Sequence, residues 1–283
     1  MSQFTNTEQN ETKLNEDTTS IDNTDNLSTT AESGDIESGP EITPWSVKTE
    51  EGGDINDERV LKNVTEFGAK FFTSNSFKRM ETITGQRVPH WVRRNIIASG
   101  RDMDEFFDMM ERYKCGDIKV FAYTGRGPST EAMHLGHMLP FKVTKWLQDA
   151  FQIPVIIQMS DDEKFAFKGD FPLERYVELS YLNARDIIAC GFDPAKTWIF
   201  SNTEEMGGAL YKNVMRVSSL MSHNKLRSIY GFDGSSTSAM IEWPSKQAAP
   251  AFGSSFPDVL GLGPNEKAYC IVPLAYDQDP YFR

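Results

Sequence analysis

The sequence predicts an α/β protein built on an open parallel sheet. Short apolar runs alternate with segments of helical periodicity in the manner of βαβ units. One such junction, Thr124-Gly-Arg-Gly-Pro-Ser-Thr-Glu-Ala-Met-His-Leu-Gly-His137, joins a glycine-rich turn to a His-x-Gly-His step. Three of the apolar runs also end in polar clusters, and parallel sheets bind their ligands outside the carboxyl ends of their strands.

The elements follow in chain order. Residues 1 to about 57 read as a disordered acidic tail, polar and nearly without aromatics, unable to bury enough apolar area to offset chain entropy. From Val60 the pattern changes, with Phe67, Phe71, Phe72, Phe77 and Met80 spaced as in a packed, mostly helical segment, so residues 58–115 read as a helical lead-in. Asp102 is expected to cap a helical run from Met103 to Tyr113 that closes at Cys115-Gly116. Ile118, Val120, Phe121, Ala122 and Tyr123 form a short buried strand. Met138 to Phe151 carries a wide apolar face at helical spacing, with Pro140 expected in its first turn. Ile153 to Ile157 is a second buried strand. Pro172 to Cys190 is an amphipathic helix with Leu173, Val177, Tyr181, Ala184 and Ile188 on one stripe, ended by Gly191. A third strand spans Thr197 to Phe200, a helix weakened by Gly207 and Gly208 spans Glu204 to Met221, and a fourth strand spans Cys270 to Ala275.

Composition bounds the function. With 283 residues and 39% apolar content the chain can bury a sizeable core. Its formal charge of −12 sits in the tail, where residues 1–60 hold 15 acidic and 3 basic residues, leaving 26 of each in the remainder. No overall basic balance therefore points to a nucleic-acid partner, which leaves only a local basic patch for one, and no DNA partner is expected. Cys115, Cys190 and Cys270 lie far apart without a CxxC pair, which indicates neither a disulfide framework nor a zinc cluster. No apolar run approaches the roughly 18 residues of a membrane span, and the N-terminus has no signal-peptide character. A soluble cytosolic protein with no membrane contact is expected.

The glycine-rich turn lies between a strand and a helix start, where unpaired backbone N–H groups and the helix dipole favour phosphate. It lacks the Gly-Lys-Ser/Thr of a P-loop and the G-x-G-x-x-G of a dinucleotide site. His134 and His137 have a spacing that could hold a metal, but Asp161 and Asp162 would have to complete such a site from another strand, so no metal site is assigned. His90 and His223 read as packing or surface histidines. The first strand runs into Tyr123-Thr-Gly-Arg126, the second into Gln158-Met-Ser-Asp-Asp-Glu-Lys164 and the fourth into Tyr276-Asp-Gln-Asp279. These clusters are expected to converge on one crevice.

His134-Leu-Gly-His137 resembles the HIGH motif of class I aminoacyl-tRNA synthetases. The string YTGRGPSTEAMHLGH, followed by KWLQDAF, IQMSDDEK, DIIACGFD, QAAPAF and AYDQDPYFR, is similar to the eukaryotic cytosolic tryptophanyl branch of that family. The resemblance extends from about Phe67 to Arg283 and takes in ITGQR and RR…SGRD upstream. The tyrosyl branch is the alternative within the class. The fold implied for residues 116–283 is the Rossmann-like parallel sheet of the class I catalytic domain.

The resemblance implies a tryptophan–tRNA ligase that forms tryptophanyl-adenylate from L-tryptophan and ATP with Mg²⁺, then charges tryptophan tRNA. It places His134, His137 and Arg126 in catalysis, and Thr124, Gly125, Arg126, Gly127, Gly136 and His137 at ATP. It places Tyr123 and Gln158 at the indole end of tryptophan, and Glu163, Gln247 and Gln278 at the substrate's polar groups. Read without the resemblance, Gln247 is a loop amide, since Gln-Ala-Ala-Pro precedes a Gly253-Ser-Ser255 stretch. Family members carry a second ATP-site loop, KMSAS or a variant, downstream of DQDPYFR, and then an anticodon-binding domain. Leu220-Met-Ser-His-Asn-Lys225 has the wrong order to serve as that loop. An incomplete copy is therefore expected, with the sheet truncated at its C-terminus. It is either the N-terminal part of a full ligase or a product that binds tryptophan or a partner without catalysis. A homodimer is also implied.

Overall fold

The computed structural model describes residues 68–94, 96–97, 99–275 and 278–282. The acidic tail, Phe67, Tyr276, Asp277 and Arg283 lie outside the described residues. The lead-in opens with a two-residue strand, β1 (Lys70–Phe71), and helices α1 (Ser74–Thr84) and α2 (His90–Arg93). Strand β2 (Ser99–Gly100) pairs antiparallel with β1, and helix α3 (Met103–Lys114) follows.

The sheet begins with β3 (Lys119–Arg126), followed by α4 (Leu135–Phe151), β4 (Val155–Met159), α5 (Asp161–Phe167), α6 (Leu173–Ala189) and β5 (Thr197–Ser201). A helical excursion of α7 (Asn202–Glu205), α8 (Gly208–Ser218), α9 (His223–Tyr230), α10 (Ser238–Ala248) and α11 (Pro257–Leu260) separates β5 from β6 (Ala268–Ile271). A short helix, α12 (Asp279–Phe282), comes last. The spatial order is β5-β4-β3-β6, and all three pairings are parallel. The order reverses at β3, so the crevice between the ends of β3 and β6 is the switch point at which such sheets bind ligands.

Strand periodicity explains why both faces of this sheet are covered. Val120 and Ala122 of β3 and Val155, Ile157 and Met159 of β4 turn to one face, into a core shared with Met80 and Ile83 of α1, Phe106, Phe107 and Met110 of α3, Phe141 and Phe151 of α4, and Ile187 of α6. Phe121 and Tyr123 of β3, Ile156 of β4 and Phe200 of β5 turn to the other face, against Leu210 and Val214 of α8 and Leu260 of α11. The lead-in thus belongs to the same core as the sheet.

Several local expectations change. Helix α4 starts at Leu135, one turn before Met138, because the His134 carbonyl already accepts from the N–H groups of His137 and Met138. Pro140 is therefore inside the helix, not in its first turn, and its missing N–H leaves the Gly136 carbonyl without the usual helical donor. Asp102 precedes α3 with φ 52° and makes no side-chain capping bond. The segment expected as one helix from Glu204 breaks at Met206-Gly207 into α7 and α8, with Gly208 at φ 53°. Strand β6 ends at Ile271 instead of running to Ala275, two residues before Pro273, which has no N–H for a ladder. The buried face of α6 is Tyr176, Leu179, Ser180, Asn183 and Ile187, while Tyr181 and Ile188 of the expected stripe are exposed.

Candidate active site at the strand ends

Parallel pairing puts the carboxyl ends of β3 and β4 side by side, with Gly125 opposite Gln158 and Arg126 opposite Met159. The Ser160 N–H donates to the Arg126 carbonyl at 2.9 Å, extending the ladder to the first turn of α5. Two groups of side chains gather there.

The first surrounds the glycine-rich turn. His134 precedes α4 in extended conformation, His137 lies in the first turn, and their rings stack with centroids 3.6 Å apart. Arg126 Nη2 lies 3.1 Å from His137 Nδ1. A guanidinium only donates, so Nδ1 accepts and the His137 proton resides on Nε2. Burial, with Arg126, His134 and Lys164 as further causes, lowers the His137 pKa to about 4. At neutral pH the ring is a neutral donor with its N–H turned away from Arg126. Burial also lowers the Arg126 pKa, opposed by the Glu163 carboxylate.

Helix α6 holds the loop that joins β3 to α4. Asn183 accepts from Arg126 Nε at 3.2 Å and donates to the Thr130 carbonyl at 2.6 Å. Asp186 accepts from the Met133 N–H at 2.9 Å, and Arg175 pairs with Glu131. Asn183 is fully buried, which explains the polar residues on the inner face of α6.

A Cβ on Gly127 would lie 2.2 Å from Lys164 Cε and 2.7 Å from Glu163 Oε2, so a side chain there would displace the ends of both from the turn. Only glycine lets the Lys164 stem close over the turn. Lys164 Nζ donates to Glu163 Oε1 at 2.7 Å, and Ser160 Oγ donates to Glu163 Oε2 at 2.7 Å. Gly125 lies against the Gln158 carbonyl, and Gly136 is in the first turn of α4 beside the His134 ring. Thr124 is buried within β3 with its hydroxyl directed at the Pro273 carbonyl 3.5 Å away, so its side chain spans the switch point instead of facing the turn.

The second group is buried. Tyr123 Oη lies 2.5 Å from Gln158 Oε1 and 2.8 Å from the Gln247 carbonyl. Gln158 Nε2 donates to Asn202 Oδ1 at 2.8 Å and to the Lys246 carbonyl at 3.0 Å. The last carbonyls of a helix have no partner within it, and here those of Lys246 and Gln247 in the last turn of α10 take donors from β4 and β3. Gln247 is therefore a helical residue, not a loop amide, and its backbone makes the contact. Burial, with Cys270 and Glu163 as lesser causes, holds the Tyr123 phenol well above its ordinary pKa of 10.

The Phe282 ring of α12 packs edge-on to Tyr123, centroids 6.2 Å apart. Arg101 anchors α12 with bonds of 3.1 and 2.5 Å to the two Asp279 oxygens, joining the SGRD and DQDPYFR strings in space. Gln278 precedes α12, its N–H bonded to the Ala275 carbonyl at 2.9 Å.

The clusters that end β3 and β4 thus meet; of the third, Gln278 and Asp279 bond to Ala275 and Arg101, and it is Phe282 beyond them that reaches Tyr123. Asp161 and Asp162 do not face the histidines. Asp161 accepts from Ser201, Thr203 and the Thr203 N–H, and Asp162 from Asn202 and Lys246. Asn183, Asn202 and Lys246 escaped sequence reading, because nothing in their local sequence marks them. Lys164 lies within the IQMSDDEK string, and its place over the glycine-rich turn is visible only in the structure. A shallow groove of about 190 Å³ between β5, α8 and α11, lined by Trp198, Phe200, Leu210 and Phe256, is separate from these clusters.

The family model described as tRNA synthetases class I (W and Y) matches residues 117–244. The cytoplasmic tryptophan–tRNA ligase of Saccharomyces cerevisiae is 42% identical over 244 residues, covering 86% of this chain and 55% of the yeast protein. The Homo sapiens protein of the same name is 42% identical over 244 residues, covering 86% of this chain and 50% of its own length. The crystal structure of Plasmodium falciparum tryptophanyl-tRNA synthetase superposes with a TM-score of 0.72 at 41% identity, covering 81% of this chain and 59% of that one. A tryptophanyl-tRNA synthetase from Encephalitozoon cuniculi bound to tryptophan superposes with a TM-score of 0.71 at 37% identity, covering 80% and 59%. The chain therefore spans between half and three fifths of the length of these relatives. Its sheet order, its His-x-Gly-His helix start, the family match over residues 117–244 and the 42% identity along 86% of its length make the chain similar to the class I tRNA synthetases of the W and Y group, and within them to the cytoplasmic tryptophanyl branch.

Proposed function

We propose that this chain carries the amino-acid and nucleotide pockets of a tryptophan–tRNA ligase, which forms tryptophanyl-adenylate from L-tryptophan and ATP and transfers the amino acid to tryptophan tRNA. The observation that carries this reading is the buried Tyr123–Gln158 pair, a polar floor at the ends of β3 and β4 beside a phosphate-type turn.

Attack by the tryptophan carboxylate builds negative charge on the α-phosphate, and donors aimed at that charge lower the barrier. In this reading the neutral His137 offers its Nε2–H, His134 stacks beside it, and the first-turn N–H groups around Gly136 add the positive end of a 17-residue helix. Arg126 and Lys164 supply positive charge on either side of the Gly125–Gly127 turn. Mg²⁺ bound together with ATP would offset part of the phosphate charge, beside the Arg126 and Lys164 cations. The indole rests on Tyr123 and Gln158. Glu163 and the amides of Gln247 and Gln278 face the amino group, Glu163 exchanging its Lys164 contact for the ligand's ammonium. Cytoplasmic location, as in the names of the curated relatives, and the homodimer that the family resemblance implies complete the proposal; sedimentation of the purified protein tests the dimer.

Calorimetric titration with L-tryptophan and L-tyrosine tests the pocket. Tryptophan is expected to bind and tyrosine to bind weakly or not at all; the reverse order would assign the chain to the tyrosyl branch. Gln158→Ala is expected to weaken tryptophan binding by about 1–3 kcal/mol, the cost of a buried polar group left unpaired. Unchanged affinity would remove Gln158 from the site. Tryptophan-dependent exchange of pyrophosphate into ATP tests the chemistry, and a protein that binds tryptophan without any exchange supports the binding-only alternative.

A further inference from the structure

The Tyr123–Gln158 pair lies at the end of a row of hydrogen bonds whose polarity follows from its charged end. An ammonium only donates and an ionised carboxylate only accepts. Lys246 Nζ donates to Asp162 Oδ2 at 3.0 Å, and Asp162 Oδ1 takes the Glu163 N–H at 2.9 Å. Burial lowers the Lys246 pKa, but Asp162 and Glu242 more than offset it, so the ammonium stays charged. The Asn202 atom 2.8 Å from Asp162 Oδ1 must then be its amide nitrogen. Asn202 therefore turns its oxygen to Gln158, whose Nε2 lies 2.8 Å away. The Lys246 carbonyl, 3.0 Å from the same nitrogen, is a second acceptor. Gln158 is left with its oxygen toward Tyr123.

That end of the row is one proton short. The Tyr123 oxygen lies against two carbonyl oxygens, Gln158 Oε1 at 2.5 Å and the Gln247 carbonyl at 2.8 Å, and a phenol has one proton to give. Gln158 is 2% and Asn202 3% exposed, so bulk water does not make up the deficit. A ligand with an N–H at this point supplies the missing donor, whereas one without it leaves a buried oxygen unpaired.

We propose that Asn202, braced by the Lys246–Asp162 ion pair, is a positioning residue that keeps the Gln158 carboxamide oxygen turned toward the pocket and so selects an aromatic ligand carrying an N–H. The proposal rests on the tryptophan reading of this pocket and adds the residues that set its polarity.

The test is calorimetric titration of the 283-residue chain with L-tryptophan and with β-(3-benzothienyl)alanine, in which sulfur replaces the indole N–H at nearly the same shape. The unsubstituted chain is expected to prefer tryptophan by about ten- to a hundredfold. Asn202→Ala and Asp162→Asn should each shrink that preference by about three- to tenfold, since only the Lys246 carbonyl is then left to hold the Gln158 amide nitrogen away from the pocket. The double variant Asp162→Asn/Asn202→Asp exchanges amide and carboxylate and again turns an oxygen to Gln158 Nε2, at the cost of the Glu163 N–H contact. It is expected to recover most of the preference. Thermal melting establishes that each variant is folded, and the double variant decides the matter if a single one is not. A full preference in folded Asn202→Ala and Asp162→Asn, with Gln158→Ala lacking it, overturns the relay and leaves the pocket standing. A folded double variant without the preference also overturns the relay. No preference in the unsubstituted chain overturns the tryptophan pocket and the relay together.

Discussion

His137 illustrates how a charge state is set by neighbours one residue at a time. Its pKa falls from the ordinary 6.5 to about 4 because the ring is partly buried and faces Arg126, His134 and Lys164. The folded state thus resists a proton that the unfolded chain accepts, so stability is full above pH 6.5 and falls as the pH drops from 6.5 toward 4. Urea unfolding at pH 7 and pH 5 should show this loss, and His137→Gln should reduce the difference; an unchanged difference would assign it to other groups. The titration of the His137 ring by NMR gives the pKa directly, and a midpoint near 6.5 contradicts the shift. Sequence alone marked His134, His137 and Arg126, since they stand within one motif. It did not mark Asn202 and Lys246, which lie 44 and 88 residues from Gln158. Their signal is the pairing of donors and acceptors, and that exists only in three dimensions.

Helix α6 shows the same limit for a whole element. Its apolar residues allow two adjacent stripes about one residue apart, and periodicity favoured the one with Tyr181 and Ile188. The structure buries the stripe with Tyr176, Leu179 and Ile187 and places Ser180 and Asn183 on it as well. Those two polar residues make the true inner face look mixed in sequence. Asn183 faces inward because it holds Arg126 and the Thr130 carbonyl. Ile187→Ala is expected to cost about 2–5 kcal/mol, as a large core side chain removed. Ile188→Ala should stay within about 0.5 kcal/mol, as an exposed substitution. Chemical denaturation of the two variants measures both, and equal effects would mean that the helix is rotated from the face described.

For the molecule as a whole, the lead-in and the sheet share one core. Met80 and Ile83 of α1 and Phe106, Phe107 and Met110 of α3 are buried in the same cluster as Val120, Val155 and Ile157. The portion 116–283 without the lead-in keeps α4 and α6 on that face but exposes the apolar surface that α1 and α3 cover, and it is expected to lose its cooperative thermal transition or to aggregate. A sharp transition of that portion alone would show that the lead-in is dispensable. Sequence by itself determined the alternation of strands and helices, the parallel sheet and the motif at the end of β3. Each of these is written in local periodicity and in residues close along the chain. Only the tertiary structure decided which stripe of α6 is buried, where helix 204–221 breaks, how α12 is pinned to Arg101, and which distant side chains orient Gln158. Those outcomes depend on volume and hydrogen-bond partners contributed by segments far apart in sequence, and no local pattern carries them.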